Sequence, residues 1–133
     1  MSLEEKSILY VEDTKELRDA VVEYLLDDAK VLHIASNGVE ALELLKEHND
    51  IDFIISDIDM PKMNGIELAK WAKKEYPSIP FAIITAYEHY RAEAESIGVD
   101  LYLLKPFTNV VQFGKLIELV CESTSSSLLI DEK

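Results

Sequence analysis

The chain alternates short apolar runs with longer stretches of helical period, and this alternation restricts its fold more than any other feature. Five apolar runs predict strands, at residues 7–11, 30–35, 53–56, 81–84 and 101–104. Five stretches with apolar residues three and four positions apart predict helices, one beginning near residue 13 and the others at 38–47, 65–74, 89–97 and 109–121. Strict alternation of strand and helix predicts a parallel sheet with helices on both faces, which is a doubly wound α/β fold.

Composition restricts the class of protein. The 133 residues are the length of one domain, and a content of 48% hydrophobic and 29% charged residues is typical of globular proteins. The formal charge of -13 opposes binding to nucleic acid or to an anionic membrane, so neither is expected as a partner. Apolar runs are far shorter than the roughly 20 residues that span a bilayer, and the N-terminus is acidic. A cytoplasmic location is therefore expected.

The cysteine and histidine residues give no sign of a disulfide or of a structural metal site. The single Cys121 cannot form an internal disulfide. His33, His48 and His89 are scattered and show no recognisable spacing of a zinc ligand pair. The sequence therefore predicts no structural zinc and assigns no task to the histidines.

Polar side chains gather where the predicted strands end. Glu12 and Asp13 follow the first strand, Asp57 follows the third, Thr85 the fourth and Lys105 the fifth. In doubly wound folds, ligands bind beyond the carboxyl ends of the strands. The pattern therefore predicts that three acids, a hydroxyl and an amine meet at one edge of the sheet.

Three carboxylates at one edge need a compensating charge. Two carboxylates about 4 Å apart repel by about 4 kcal/mol at an effective dielectric near 20. Lys105 supplies one positive charge, and the remaining deficit matches one divalent cation, for which an all-oxygen site favours Mg²⁺. A carboxylate beside Mg²⁺ can accept a phosphoryl group while a hydroxyl such as that of Thr85 hydrogen-bonds one oxygen. The residues thus predict Mg²⁺-dependent phosphorylation of an aspartate.

Five short motifs follow one another along the chain: Glu12-Asp13, then Asp57-Ile58-Asp59-Met60-Pro61 with Gly65 following, then Thr85-Ala86, Tyr102 and Lys105-Pro106-Phe107. Together they resemble the receiver domain of two-component response regulators, the CheY-like family. The resemblance implies a flavodoxin-like (βα)5 three-layer sandwich whose parallel strands have the order 2-1-3-4-5. It also implies that residues 6–122 form the receiver domain, with 123–133 a polar tail or the start of a linker.

The resemblance also implies roles for the site residues. Asp57 would be the phosphoacceptor. Mg²⁺ would be held by Asp13, Asp57 and the backbone carbonyl of Asp59, with Glu12 acting mainly through water. Lys105 would contact the phosphoryl group.

The same resemblance implies a switch and partners. Thr85 and Tyr102 would be the hydroxyl and the aromatic ring that change position on activation. The phosphoryl donor would be a sensor histidine kinase or a phosphotransfer protein. The output would be an effector domain or protein that contacts the face formed by the fourth helix, fifth strand and fifth helix. The chain would be a signalling domain that catalyses only its own phosphorylation and dephosphorylation, not an enzyme acting on other substrates.

Asp59 and Tyr87 are predicted to set the lifetime of the phosphoryl group. They lie two residues beyond the acceptor and two beyond the hydroxyl, and such positions in receivers flank the path of the attacking water. An aromatic ring over the site excludes water and offers no group to orient it. Slow loss of phosphate is therefore expected.

Two other functions fit parts of the sequence. Asp57-Ile58-Asp59 matches the D-x-D motif of haloacid dehalogenase-type phosphatases. That motif closes the first strand, whereas here it follows the third, and Pro61 stands where Thr or Val is usual. The second alternative is a receiver-like protein that binds a partner without phosphorylation. The intact acids and Lys105 argue against it, and titration with Mg²⁺ and a phosphoryl donor distinguishes the two.

Overall fold

The structure is a computed structural model that describes residues 7–16, 18, 19 and 31–104. Residues 15, 16, 18 and 19 are helical, so a helix follows the first strand as predicted. The rest of that helix, the predicted helix 109–121 and the segment 123–133 lie outside the described residues, as do Lys105, Pro106 and Phe107.

Five parallel strands form the sheet. They are β1 (Ser7–Val11), β2 (Val31–Ala35), β3 (Phe53–Ser56), β4 (Phe81–Thr85) and β5 (Leu101–Leu104). Their order is β2-β1-β3-β4-β5, and every neighbouring pair is parallel. The predicted doubly wound, flavodoxin-like fold is thereby confirmed. Strand β4 continues one residue beyond its predicted end, so Thr85 is its last residue; Lys30, predicted to begin the second strand, lies outside the described residues.

Three helices lie within the described residues 31–104. They are α1 (Gly38–Glu47), α2 (Gly65–Glu75) and α3 (Arg91–Ile97), which correspond to the second, third and fourth predicted helices. A 3-10 turn at Glu88–Tyr90 precedes α3, so the α-helix begins two residues later than predicted. No helix in the described part of the chain is both long and apolar enough to cross a membrane.

Asparagine side chains start two of these helices. The Asn37 side chain accepts the Glu40 N–H at 2.9 Å, and Asn64 with Glu67 forms a reciprocal capping box. Helix α3 ends at Gly98, whose φ of 102° lies in the left-handed region that glycine adopts at least cost. Local capping therefore fixes where the chain leaves each loop.

Strands β1, β3 and β4 are buried on both faces and β5 nearly so, as is usual in a parallel sheet, whereas β2 at one side of the sheet leaves Val31 and Ile34 exposed. One face packs with α1, α2 and α3 in a single apolar cluster. This cluster includes Leu9, Val11, Ile54, Ile83 and Tyr102 from the strands and Ala41, Leu45, Ile66, Ala69, Ala72 and Ala94 from the helices. The alternate residues of the strands, among them Ile8, Tyr10, Ile55, Ile84 and Leu103, are buried as well. Strands that are packed on both faces hold the residues that follow them in defined positions.

Two aspartates join neighbouring strands at the amino edge of the sheet, by which we mean the side where the parallel strands begin. Asp52 precedes β3, and its carboxylate accepts the Ser7 N–H at 2.9 Å while its own N–H donates to the Ser7 carbonyl at 2.7 Å. Asp100 precedes β5 and makes the same pair of bonds with Phe81, at 2.8 and 2.9 Å. Asp100 also forms a 2.7 Å ion pair with Lys73 of α2. These acids hold the strands in register.

Candidate functional site

The strand order reverses between β1 and β3, which is where doubly wound folds bind their ligands. Val11 and Ser56 are aligned partners at the ends of these two strands, so the residues that follow them are neighbours. Asp57 N–H donates to the Val11 carbonyl at 3.0 Å, which continues the strand pairing by one step. The sheet register therefore brings Glu12 and Asp57 side by side.

Glu12, Asp13 and Asp57 converge at this edge. One carboxylate oxygen from each lies within 4.8 Å of the others. Glu12 and Asp57 are buried, at 1% and 6% exposure, whereas Asp13 is exposed. Burial raises the pKa of Tyr10 on β1, and the negative charges of Glu12 and Asp57 add to this. Oxygen-only donors, partly buried but open on one side, are the kind of set that suits Mg²⁺.

Backbone groups orient the two buried acids. The Glu12 side chain accepts the Thr14 N–H at 3.2 Å, and its carbonyl accepts from the Arg18 guanidinium at 2.9 Å. The Asp57 Oδ1 accepts the Ile58 N–H at 2.6 Å. A carboxylate held in this way presents its oxygens in one orientation, because the side-chain rotamer is fixed.

The loop after Asp57 is tightly packed, and Gly65 shows why a side chain is excluded there. A Cβ on Gly65 would lie 2.1 Å from the Asp57 carbonyl oxygen, and the Gly65 N–H donates to the Ile58 carbonyl at 2.9 Å. Lys62 has a φ of 68°, and Met63 N–H donates back to the Pro61 carbonyl at 2.7 Å, which is the bond of a γ-turn. The loop therefore packs closely against the start of α2, and Gly65 contacts the backbone of Asp57.

Asp59 stands apart from the three converging acids. Its side chain is exposed, and it does not belong to the group formed by Glu12, Asp13 and Asp57. The predicted contribution of its backbone carbonyl to metal binding stays a prediction.

Thr85, Tyr87 and Tyr102 are linked at the ends of β4 and β5. Thr85 is fully buried, and its hydroxyl oxygen accepts the Tyr87 N–H at 3.3 Å. The Tyr102 hydroxyl donates to the Tyr87 carbonyl. Burial raises the pKa of Tyr102 to about 12; the charge of Glu88 adds to the rise, and that of Arg91 opposes it. The segment after β4 is therefore bonded to both strands through Tyr87.

The Tyr87 ring belongs to an exposed aromatic cluster. It is 46% exposed and lies 5.5 Å from the His89 ring and 6.4 Å from the Tyr90 ring, measured between centroids. Its described ring contacts are thus with the 3-10 turn, and the proposed shielding of Asp57 stays a prediction. Lys105, the fifth predicted member of the site, lies outside the described residues.

Two sets of contacts in the structure were not predicted from the sequence. The paired bonds of Asp52 and Asp100 were not predicted: both residues directly precede a buried strand, but that position alone does not identify the strand to which each one bonds. His33 and His48 were assigned nothing, yet their ring centroids lie 4.2 Å apart. The antiparallel return of α1 after β2 was the signal that could have brought them together.

Comparison with known proteins gives one family. The family model described as the response regulator receiver domain matches residues 8–118. A chemotaxis protein CheY homolog from Campylobacter jejuni is 39% identical over 116 residues, covering 82% of this chain and 88% of that protein. Response regulator SaeR from Staphylococcus aureus is 35% identical over 103 residues, covering 76% of this chain and 44% of that protein.

The fold comparison agrees. The crystal structure of a DNA-binding response regulator of the LuxR family from Staphylococcus aureus superposes with a TM-score of 0.81 at 30% identity, covering 88% of this chain and 99% of that one. The matched region contains the acids at the ends of β1 and β3 and the hydroxyl at the end of β4. On these grounds the chain belongs to the receiver domain family of two-component response regulators, a family of signalling domains.

Proposed function

We propose that Asp57 accepts a phosphoryl group from a phosphohistidine of a sensor histidine kinase or phosphotransfer protein, in a reaction that requires Mg²⁺. The observation that carries this proposal is the convergence of Glu12, Asp13 and Asp57 within 4.8 Å at the point where the strand order reverses. Like charges so close together, two of them buried, favour a bound cation. Membership of the receiver family supports the same chemistry.

The transfer replaces one phosphorus bond with another. A carboxylate oxygen of Asp57 bonds to phosphorus as the phosphorus–nitrogen bond to the donor histidine breaks. The electron pair of that bond stays with the ring nitrogen, and because the other ring nitrogen of the phosphohistidine carries a proton, the donor leaves as neutral imidazole. Catalysis in such transfers is mostly positioning and charge stabilisation. The Ile58 N–H bond to Asp57 Oδ1 contributes the positioning, because it fixes the carboxylate.

Asp13, Asp57 and the backbone carbonyl of Asp59 are the residues that would hold Mg²⁺, with Glu12 bonded through water. When bound, the ion would neutralise part of the negative charge on the acceptor carboxylate and on the incoming phosphoryl oxygens. The oxygen-only donor set fits it, since Mg²⁺ takes one or two carboxylates and keeps several waters. Lys105 would contact a phosphoryl oxygen, a role that rests on the family resemblance of the Lys105-Pro106-Phe107 motif.

The bonds at the ends of β4 and β5 suggest how phosphorylation reaches the surface. In the present structure the Thr85 hydroxyl oxygen accepts from Tyr87 N–H, and Tyr102 holds the Tyr87 carbonyl. A phosphoryl oxygen on Asp57 would take the Thr85 hydroxyl as its donor and move it away from Tyr87. Release of Tyr87 would alter the exposed surface beside α3 and β5. We propose that this face, with the predicted fifth helix, binds the effector.

Acetyl phosphate with Mg²⁺ provides the test of the acceptor. Intact-mass measurement should show one added phosphoryl group that hydroxylamine removes, as expected for an acyl phosphate. Asp57→Asn should abolish the label. The matched control is Asp59→Asn, which removes an exposed carboxylate two residues away and should leave the label in place. Full labelling of the Asp57→Asn protein would overturn the assignment.

A further inference from the structure

His33 and His48 form a pair at the outer side of the sheet. His33 lies on β2, aligned with Leu9 of β1, so its side chain is on the face that packs against the described helices. His48 directly follows α1, and the two ring centroids are 4.2 Å apart with an interplanar angle of 32°. Asp50 follows two residues later. One donor atom from each of the three lies within 4.8 Å of the others.

One ring nitrogen of His33 has no hydrogen-bond partner among the described residues. His33 Nε2 is buried and has no hydrogen-bond partner in the described part of the chain. Buried polar atoms are nearly always paired, so an unpaired imidazole nitrogen beside a second imidazole and a carboxylate calls for a ligand. His33 and His48 are only partly buried and Asp50 is exposed, so an ion can reach the group from solvent.

The donor types select the kind of ion. Two imidazoles and a carboxylate suit Zn²⁺, which is bound by nitrogen and oxygen donors in a tetrahedral arrangement and can keep water as a fourth ligand. Mg²⁺ and Ca²⁺ prefer sites built from oxygen alone. The formal charge of -13 on the chain also attracts cations.

We propose that His33, His48 and Asp50 form a Zn²⁺ site that is separate from the acidic site at Asp57. Helix α1 begins beside the loop after β3, where Gly38 N–H donates to the Met63 carbonyl. Its ten residues span about 15 Å, so His48 lies at the far end of the helix from that loop. The two sites therefore differ in position as well as in donor chemistry.

Calorimetric titration with Zn²⁺, in buffer containing excess Mg²⁺ to occupy the acidic site, tests the proposal. We expect one Zn²⁺ per chain, binding weakened more than about tenfold in His48→Gln, and a smaller loss in Asp50→Asn. His89→Gln is the matched control, because His89 lies in the aromatic cluster of the 3-10 turn, and it should bind as the parent does. Asp57→Asn should also retain the Zn²⁺ site.

Imidazole NMR signals give a second measurement that does not depend on a variant's folding. Zn²⁺ should shift the ring resonances of His33 and His48 in the parent protein and leave those of His89 in place. Absence of Zn²⁺ binding in the parent, parent-like affinity in folded His48→Gln, or shifts confined to His89 would each overturn the proposal.

Discussion

Acidic residues lie at both the amino edge of the sheet, where the strands begin, and the carboxyl edge, where they end, but their surroundings differ. At the amino edge, Asp52 and Asp100 each accept a backbone N–H from the first residue of a neighbouring strand, and Asp100 also pairs with Lys73. At the carboxyl edge, Glu12, Asp13 and Asp57 lie within 4.8 Å of one another. Glu12 and Asp57 also accept backbone N–H bonds, from Thr14 and Ile58, but unlike the acids of the first group they lie among further carboxylates.

This difference should give the acids at the two edges opposite effects on the stability of the fold. A carboxylate that accepts charge-assisted hydrogen bonds stabilises the folded chain. Carboxylates that converge repel each other, and their placement lowers stability until a cation binds or one of them is neutralised. The comparison predicts that removing a charge should destabilise the protein at the amino edge and stabilise it at the carboxyl edge when Mg²⁺ is absent.

Loss of the Asp100 side chain should have the largest effect. Asp100→Ala removes the bond to the Phe81 N–H and leaves Lys73 without its carboxylate in a site where both side chains are under 20% exposed, at 15% and 19%. We expect the free energy of unfolding, measured with urea, to fall by about 3 kcal/mol.

The exposed ion pair between Lys70 and Glu93 provides the control. Its atoms are 3.4 Å apart and its side chains are 59% and 49% exposed. Glu93→Ala should cost about 0.5 kcal/mol or less, because exposed pairs contribute little. Equal losses in Asp100→Ala and Glu93→Ala would show that the amino-edge acids do not fasten the strands.

Neutralising Asp57, the proposed phosphoacceptor, should change the free energy of unfolding in the opposite direction. Asp57→Asn keeps the oxygen that accepts the Ile58 N–H but removes one of three converging charges. Without Mg²⁺ we expect the free energy of unfolding to rise by about 1 to 2 kcal/mol. Millimolar Mg²⁺ should raise the melting temperature of the parent and leave that of the variant nearly unchanged, since a ligand stabilises only the state it binds.

The matched control at the other edge is Asp52→Asn. This variant loses the same charge and should become less stable, because the carboxylate accepts the Ser7 N–H. A stability loss in both variants would mean that the acids at Asp57 are already neutralised within the fold. Asp13→Asn, which alters the exposed member of the cluster, should weaken Mg²⁺ binding with little effect on stability in its absence.

The carboxyl edge was predictable from sequence because its signals are local. Apolar runs mark the ends of buried strands, and parallel pairing then brings the next residues together, so Glu12, Asp13 and Asp57 could be grouped without coordinates. Thr85 was placed after a strand that in fact includes it, since hydrophobicity marks a strand end only to within a residue.

The amino edge and the histidine pair were not predictable in the same way. The bond from Ser7 to Asp52 joins residues 45 positions apart, and that from Phe81 to Asp100 joins residues 19 apart. An acid before a strand has the same appearance in sequence as any polar loop residue. Its partner depends on which strands are neighbours, and the strand order of the sheet decides that.

Removal of the Tyr102 hydroxyl tests one hydrogen bond at the carboxyl edge, and a smaller effect on stability is expected. Tyr102→Phe loses the bond to the Tyr87 carbonyl and should lower the free energy of unfolding by about 1 kcal/mol at neutral pH. Burial raises the pKa of the folded phenol to about 12, whereas the unfolded phenol ionises near 10.0. The parent should therefore lose stability as pH rises from about 10 towards 12, because the unfolded state releases its proton first.

Tyr102→Phe lacks this ionisation, so the stability difference between the two proteins should shrink over that pH range. Urea unfolding between pH 8 and 11 measures it. Tyr10 stays in both proteins, and its own titration therefore cancels in the difference. A constant difference across the whole range would mean that the Tyr102 phenol does not have a raised pKa in the folded protein.

The smallest expected effect concerns how long phosphate stays on Asp57. The Tyr87 backbone is bonded to Thr85 and Tyr102, so substitution of its side chain leaves those bonds possible while removing the ring. If the ring limits the approach of water to phosphorylated Asp57, Tyr87→Ala should lose phosphate a few-fold faster, and Tyr87→Glu faster still because a carboxylate can orient the attacking water. A few-fold change corresponds to under about 1 kcal/mol of barrier.

Phosphate loss is followed by intact mass after removal of acetyl phosphate, with His89→Ala as the control that alters the same aromatic cluster. A rate in Tyr87→Ala at or below that of the parent would mean that the ring stays on His89 and Tyr90, and that water reaches Asp57 without passing it.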